Sequence, residues 1–120
     1  MRVLIADDDR DQLAIREMLL RSFGFEVLAA CNHEAALEMT RKSNPSCAVL
    51  DLRLPDEAAG RQLIRDLKGF NPGIHIFVLS GTNPKRLDRL PERTLVDEVF
   101  EKGTSSSELL SRLKAVREKP

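Results

Sequence analysis

The chain of 120 residues contains no tryptophan and no tyrosine, so five phenylalanines are its whole aromatic complement. Base stacking, the sequence-tolerant part of single-strand nucleic-acid binding, therefore has little to work with. Nineteen basic and nineteen acidic side chains cancel, and no net field draws the chain to nucleic acid or to an anionic membrane. The short basic stretches Arg41-Lys42 and Pro84-Lys85-Arg86-Leu87-Asp88-Arg89 read as solvated faces. No apolar run approaches the ~20 residues that span a bilayer. The N-terminus enters a strand directly, without a charged-then-apolar leader, so a cytoplasmic location is expected. The two cysteines, Cys31 and Cys47, match no metal-ligand spacing, and no disulfide is expected in that compartment. Cys47 lies in an apolar run and reads as a small buried hydrophobe. There is no internal repeat, low-complexity tract or linker, so residues 1–120 are expected to form one domain.

What is present is ordinary for a globular protein, at 42% hydrophobic and 32% charged residues. Apolar runs near residues 2–6, 25–30, 47–51, 74–79 and 96–101 alternate with helix-like stretches. Five βα units of this length predict an α/β fold with a parallel sheet. The runs Val3-Leu4-Ile5-Ala6, Cys47-Ala48-Val49-Leu50 and Ile76-Phe77-Val78-Leu79 carry no charge, as strands buried on both faces require. The second run contains Glu26, and the fifth contains Asp97, Glu98 and Glu101, which suits sheet edges. Strands 1, 3 and 4 are then central, which predicts the flavodoxin-like order 2-1-3-4-5, a doubly wound (βα)5 sheet with its crevice between strands 1 and 3. Ile15, Met18, Leu19 and Phe23 recur at helical spacing ahead of Gly24, a stop signal. Ser105-Ser106-Ser107-Glu108 offers a capping box before Leu109, Leu110, Leu113 and Val116. Asn83-Pro84 starts a helix that Pro91 should break within about two turns, so the fourth helix is expected to be short or displaced.

Four of the five strands end on polar groups with distinct chemistry. Asp7 and Asp8 follow the first, Asp51 ends the third, Ser80 follows the fourth run and Lys102 the fifth. The C-terminal ends of parallel strands share one edge, where such folds place their sites. Asp9 reads as the N-cap of the first helix. Two unit charges about 4 Å apart repel by ~4 kcal/mol at an effective dielectric near 20, so three converging acids ask for a cation. All-oxygen ligands in a partly open site suit Mg²⁺. Asp51 is the candidate nucleophile for an aspartyl phosphate, with Ser80 as a hydrogen-bond donor and Lys102 as a point charge for the phosphoryl oxygens.

These segments resemble the receiver domain of two-component response regulators over nearly the whole chain. Val3-Leu4-Ile5-Ala6-Asp7-Asp8-Asp9 is similar to the family's acidic-pair motif, and Ala48-Val49-Leu50-Asp51-Leu52-Arg53-Leu54-Pro55 to its phosphoacceptor motif. Phe77-Val78-Leu79-Ser80-Gly81 resembles its Thr/Ser motif and Val99-Phe100-Glu101-Lys102 its lysine motif. The resemblance implies that Asp51 is phosphorylated from a phosphohistidine of a sensor histidine kinase or histidine phosphotransfer protein. It implies Mg²⁺ held by Asp8, Asp51 and the backbone carbonyl of Arg53, with Asp7 acting through water. Ser80 and Lys102 would then take the phosphoryl group, and a two-state change on the face of helix 4, strand 5 and helix 5 would carry the signal to an output partner.

The chain departs from the family pattern at several places. Val99 stands where an aromatic residue is usual, three positions before the lysine, and Gly103 stands where proline is usual. A cis bond without proline costs ~3 kcal/mol, so a trans peptide or a rearranged loop is expected there. The family's glycine corresponds to Gly60, one residue late, which predicts a longer loop through Glu57-Ala58-Ala59. Val99, Gly103 and Pro91 favour an alternative reading as a degenerate receiver that docks without phosphate. A phosphatase acting on external substrates is disfavoured, because the position two after Asp51 holds Arg53 rather than an acid that could protonate a leaving group. The chain is therefore not expected to be an enzyme toward other molecules.

Overall fold

The three charge-free runs do lie at the centre of the sheet. The computed structural model of the protein describes residues 1–54, 56–81, 88–101 and 106–118. In chain order these form β1 (Arg2–Ala6), α1 (Arg10–Ser22), β2 (Glu26–Ala30), α2 (His33–Ser43), β3 (Cys47–Asp51), α3 (Glu57–Phe70), β4 (His75–Ser80), a 3-10 helix (Pro91–Leu95), β5 (Glu98–Glu101) and a last helix, here α4 (Ser106–Glu118). The five strands are parallel in the order β2-β1-β3-β4-β5, the predicted flavodoxin-like arrangement. Every residue of β3 is buried. The edge strands β2 and β5 instead carry the exposed Glu26 and Glu101, charges that discourage further strand pairing.

Strand alternation divides the core into two layers. Leu4, Ala6, Ala48, Leu50, Ile76 and Val78 pack with Ala36 of α2 and Leu63, Ile64 and Leu67 of α3. Val3, Ile5, Cys47, Val49, Phe77, Leu79 and Phe100 pack on the other face with Leu13 and Leu20 of α1 and Leu109, Leu110 and Leu113 of α4. The expected stripe of the last helix is thus its buried face, with Val116 at the margin. Ser105, the first residue of the expected capping box, lies outside the described residues.

Helix α1 corrects one expectation. Of the expected stripe, Ile15 and Met18 are 61% and 73% exposed and Phe23 is also exposed, and Leu19 packs half-buried against the core; the buried residues are Leu13 and Leu20. The helix carries two candidate apolar stripes, and the buried one is that which packs on Val3, Ile5 and Val49 of the sheet. Asp9 accepts hydrogen bonds from the backbone N–H groups of Asp11 and Gln12. The stripe Leu13, Arg16, Leu20 turns inward. Gly24 closes the helix at φ +88°, a left-handed turn that favours glycine.

The loop after β3 corrects a second expectation. Glu57, Ala58 and Ala59 are already helical, and Asp56 caps α3 by accepting from the N–H of Ala59 at 2.8 Å. The late glycine is absorbed in the first turn of the helix, not in a longer loop. Between β4 and β5 the described residues hold the 3-10 helix, with Pro91 as its first residue. There the missing N–H forfeits no helical hydrogen bond. Among the described residues no helix is long and apolar enough to cross a membrane.

Candidate functional site

Register brings the acids together. Ala6 of β1 pairs with Leu50 of β3, so the next residues, Asp7 just past β1 and Asp51 at the end of β3, lie side by side. Asp7 is 1% exposed and Asp51 4% exposed; Asp8 stands at the surface. One carboxylate oxygen from each of the three lies within 4.8 Å of the others. Carboxylates that close in a partly buried place repel strongly. Their all-oxygen donor set and one open side fit a hard divalent cation such as Mg²⁺, which keeps several of its waters.

The backbone orients two of these acids. Asp7 continues the β1–β2 ladder by donating its N–H to the carbonyl of Ala30 at 3.1 Å. Its Oδ1 accepts from the N–H of Asp9 at 2.9 Å. Oδ1 of Asp51 accepts from the N–H of Arg53 at 3.1 Å, while Leu52 donates to the carbonyl of Leu79 at 3.0 Å. The chain after β3 is therefore tied to β4 before it turns toward α3. Arg53 itself is exposed in this turn.

Ser80 ends β4 and is 2% exposed. Asp51 pairs with Leu79, and Ser80 pairs with Glu101, so the hydroxyl residue lies one step beyond the row of Asp51. Lys102, Gly103, Asn83 and Pro84 lie outside the described residues. Val99 is half-buried on the α2–α3 face, whereas Phe100 is buried on the α1–α4 face. Phe100 meets Phe77 there, with ring centroids 6.1 Å apart and planes tilted by 48°. The aromatic ring next to the family's usual position thus points to the opposite side of the sheet.

One residue of this neighbourhood was not anticipated. Arg16 of α1 reaches Asp7, with Nη1 3.4 Å from Oδ2, and its side chain is only 16% exposed. The signal was its place between Leu13 and Leu20, on the stripe that faces the end of β1. That stripe was hidden by the more hydrophobic one containing Ile15 and Met18.

The family model of the response regulator receiver domain matches residues 3–114. The chain is similar to the response regulator MprA of Mycobacterium leprae, with 34% identity over 130 aligned positions covering 100% of this chain and 53% of that protein. It is also similar to the transcriptional regulatory protein PrrA of Mycobacterium tuberculosis, with 33% identity over 116 positions covering 96% of this chain and 49% of that protein. The chain thus spans about half the length of these curated relatives. Among solved structures, a CheY-like receiver domain protein of Methanospirillum hungatei superposes with a TM-score of 0.87 at 24% identity, covering 98% of this chain and 94% of that one. The response regulator TrrA of Thermotoga maritima, in complex with Mg²⁺ and BeF, superposes with a TM-score of 0.83 at 23% identity, covering 96% and 97%. The structural likenesses carry the fold, and the profile match with the sequence relatives carries the family. On that footing the chain belongs to the response regulator receiver domains of two-component signalling systems.

Proposed function

We propose that this receiver takes a phosphoryl group onto Asp51 from the phosphohistidine of a histidine kinase or a histidine phosphotransfer protein. An Asp51 carboxylate oxygen attacks phosphorus, the P–N bond breaks, and the freed imidazole takes up a proton. The observation that supports this reading is the meeting of Asp7, Asp8 and the buried, backbone-anchored Asp51, one carboxylate oxygen of each within 4.8 Å of the others. Asp8, Asp51 and the Arg53 carbonyl would hold Mg²⁺, with Asp7 acting through water, and the ion would supply charge neutralisation for the incoming group. Ser80 donates a hydrogen bond to one phosphoryl oxygen and Lys102 pairs with another. The reaction is on the receiver itself and turns over no external substrate.

The phosphorylated form then shifts a two-state equilibrium toward the form an output partner recognises. The chain works in the cytosol as the receiving partner of the kinase, and contacts neither nucleic acid nor membrane through this domain. Incubation with Mg²⁺ and acetyl phosphate, followed by intact mass measurement, tests the chemistry. A gain of one phosphoryl group is expected, absent in Asp51→Asn and absent without Mg²⁺. A folded protein that gains nothing and fails to bind Mg²⁺ or beryllofluoride is instead a phosphate-independent docking module.

A further inference from the structure

We propose that Arg16, through Asp7, is a resident counter-cation of the acidic cluster and sets its affinity for the divalent ion. The inference rests on the metal site just proposed and concerns a residue outside its ligand set. Arg16 projects from the inward stripe of α1, and its side chain is mostly buried at 16% exposure. Among the described residues, the carboxylate it contacts is Asp7, itself 1% exposed. The 3.4 Å separation is longer than the ~2.8 Å of a well-formed charge-assisted hydrogen bond. The contact is therefore held mainly by charge, and a cation arriving beside Asp7 can weaken it without breaking tight geometry.

Both oxygens of Asp7 are engaged within the protein. Oδ1 accepts from the N–H of Asp9, and Oδ2 faces Arg16. The guanidinium offsets one of the three carboxylate charges before any metal arrives. That has two opposite consequences. It lowers the repulsion that the metal-free fold must bear, and it places a positive charge where a divalent ion must settle. Arginine stays charged at every working pH, so the offset is permanent. A unit charge and a divalent ion roughly 6 Å apart would repel by ~1.4 kcal/mol even at the dielectric of bulk water, so removing the guanidinium should tighten binding by at least about tenfold.

Calorimetric titration of the full chain with MgCl₂ tests this, alongside melting temperatures with and without Mg²⁺. In Arg16→Gln the dissociation constant for Mg²⁺ should fall about tenfold, while Arg16→Lys, which keeps the charge, stays within about twofold of wild type. Metal-free Arg16→Gln should melt below wild type, and saturating Mg²⁺ should close the gap. Arg16→Met, which keeps the aliphatic stem, repeats the test if the glutamine variant folds poorly. Unchanged or weaker Mg²⁺ binding in these variants, with wild type binding normally, overturns the role of Arg16 and leaves the metal site standing. A melting deficit that saturating Mg²⁺ leaves intact assigns Arg16 to packing and likewise overturns the proposal. If neither wild type nor the variants bind Mg²⁺, the metal site and this inference fall together.

Discussion

Gly60 lies beneath the backbone of Leu52, so close that a Cβ on the glycine would stand 1.7 Å from the Leu52 carbonyl oxygen. The obstacle is backbone, not the end of a flexible side chain, and it belongs to the turn that carries Arg53. In Gly60→Ala either α3 slides outward or the turn after Asp51 moves. The expected cost is about 3 kcal/mol, at the upper end of overpacking penalties, read from urea unfolding followed by circular dichroism. Mg²⁺ binding should weaken as well. A variant with wild-type stability would mean that the turn is far more pliant than this contact allows.

The two faces of β5 give a paired prediction. Phe100 is buried against Phe77 and α4, so Phe100→Ala should cost about 3 kcal/mol. Val99 is half-buried on the other face, and Val99→Ala should cost about 1 kcal/mol. Equal losses at both positions, measured by chemical unfolding, would contradict the packing described for this strand.

Glu92 is buried in the 3-10 helix between two arginines of α3, Arg61 through its Nε and Arg65 at 3.3 Å. The hydrogen bond from Arg61, more than the burial that opposes it, holds the Glu92 carboxyl below its ordinary value of 4.5. A folded-state pKa lower than the unfolded one stabilises the fold above the unfolded value and loses that contribution as pH falls through the folded one. Glu92→Gln should thus cost about 1–2 kcal/mol at pH 7. The gap from wild type should narrow only as the solution is acidified below pH 4.5. A gap that stays constant through acid titration of the unfolding free energy would show that the pair contributes shape and not charge.

The thiols should behave unequally. Burial, aided by the nearby charge of Asp97, pushes Cys47 up to about 12, whereas Cys31 is partly exposed. The thiolate is the reactive form, so Cys47 should stay inert at any pH the fold tolerates. A thiol reagent at pH 8 should modify one cysteine in the native protein and both in urea. Rapid modification of both in the native state would place Cys47 outside the core.

The sequence determined the sheet and the meeting of the acids. Three charge-free runs could be buried only at the centre of a parallel sheet, and two charged runs belonged at its edges. Given that order, Asp7, Asp8 and Asp51 converge because all parallel strands end on one side. Each of these inferences is local composition combined with a rule of connectivity, so no packing detail was needed. The phase of α1 was different, because Ile15-Met18 and Leu13-Leu20 are both acceptable apolar stripes. In the fold Leu13 and Leu20 face the core, with Arg16 between them reaching Asp7, while Ile15 and Met18 face outward. The start of α3 was likewise a tertiary matter. Gly60 looked like a displaced loop residue until the chain after β3, tied to Leu79, passed directly over it. Local sequence carries periodicity and charge, but helix phase and backbone clearance depend on neighbours distant along the chain.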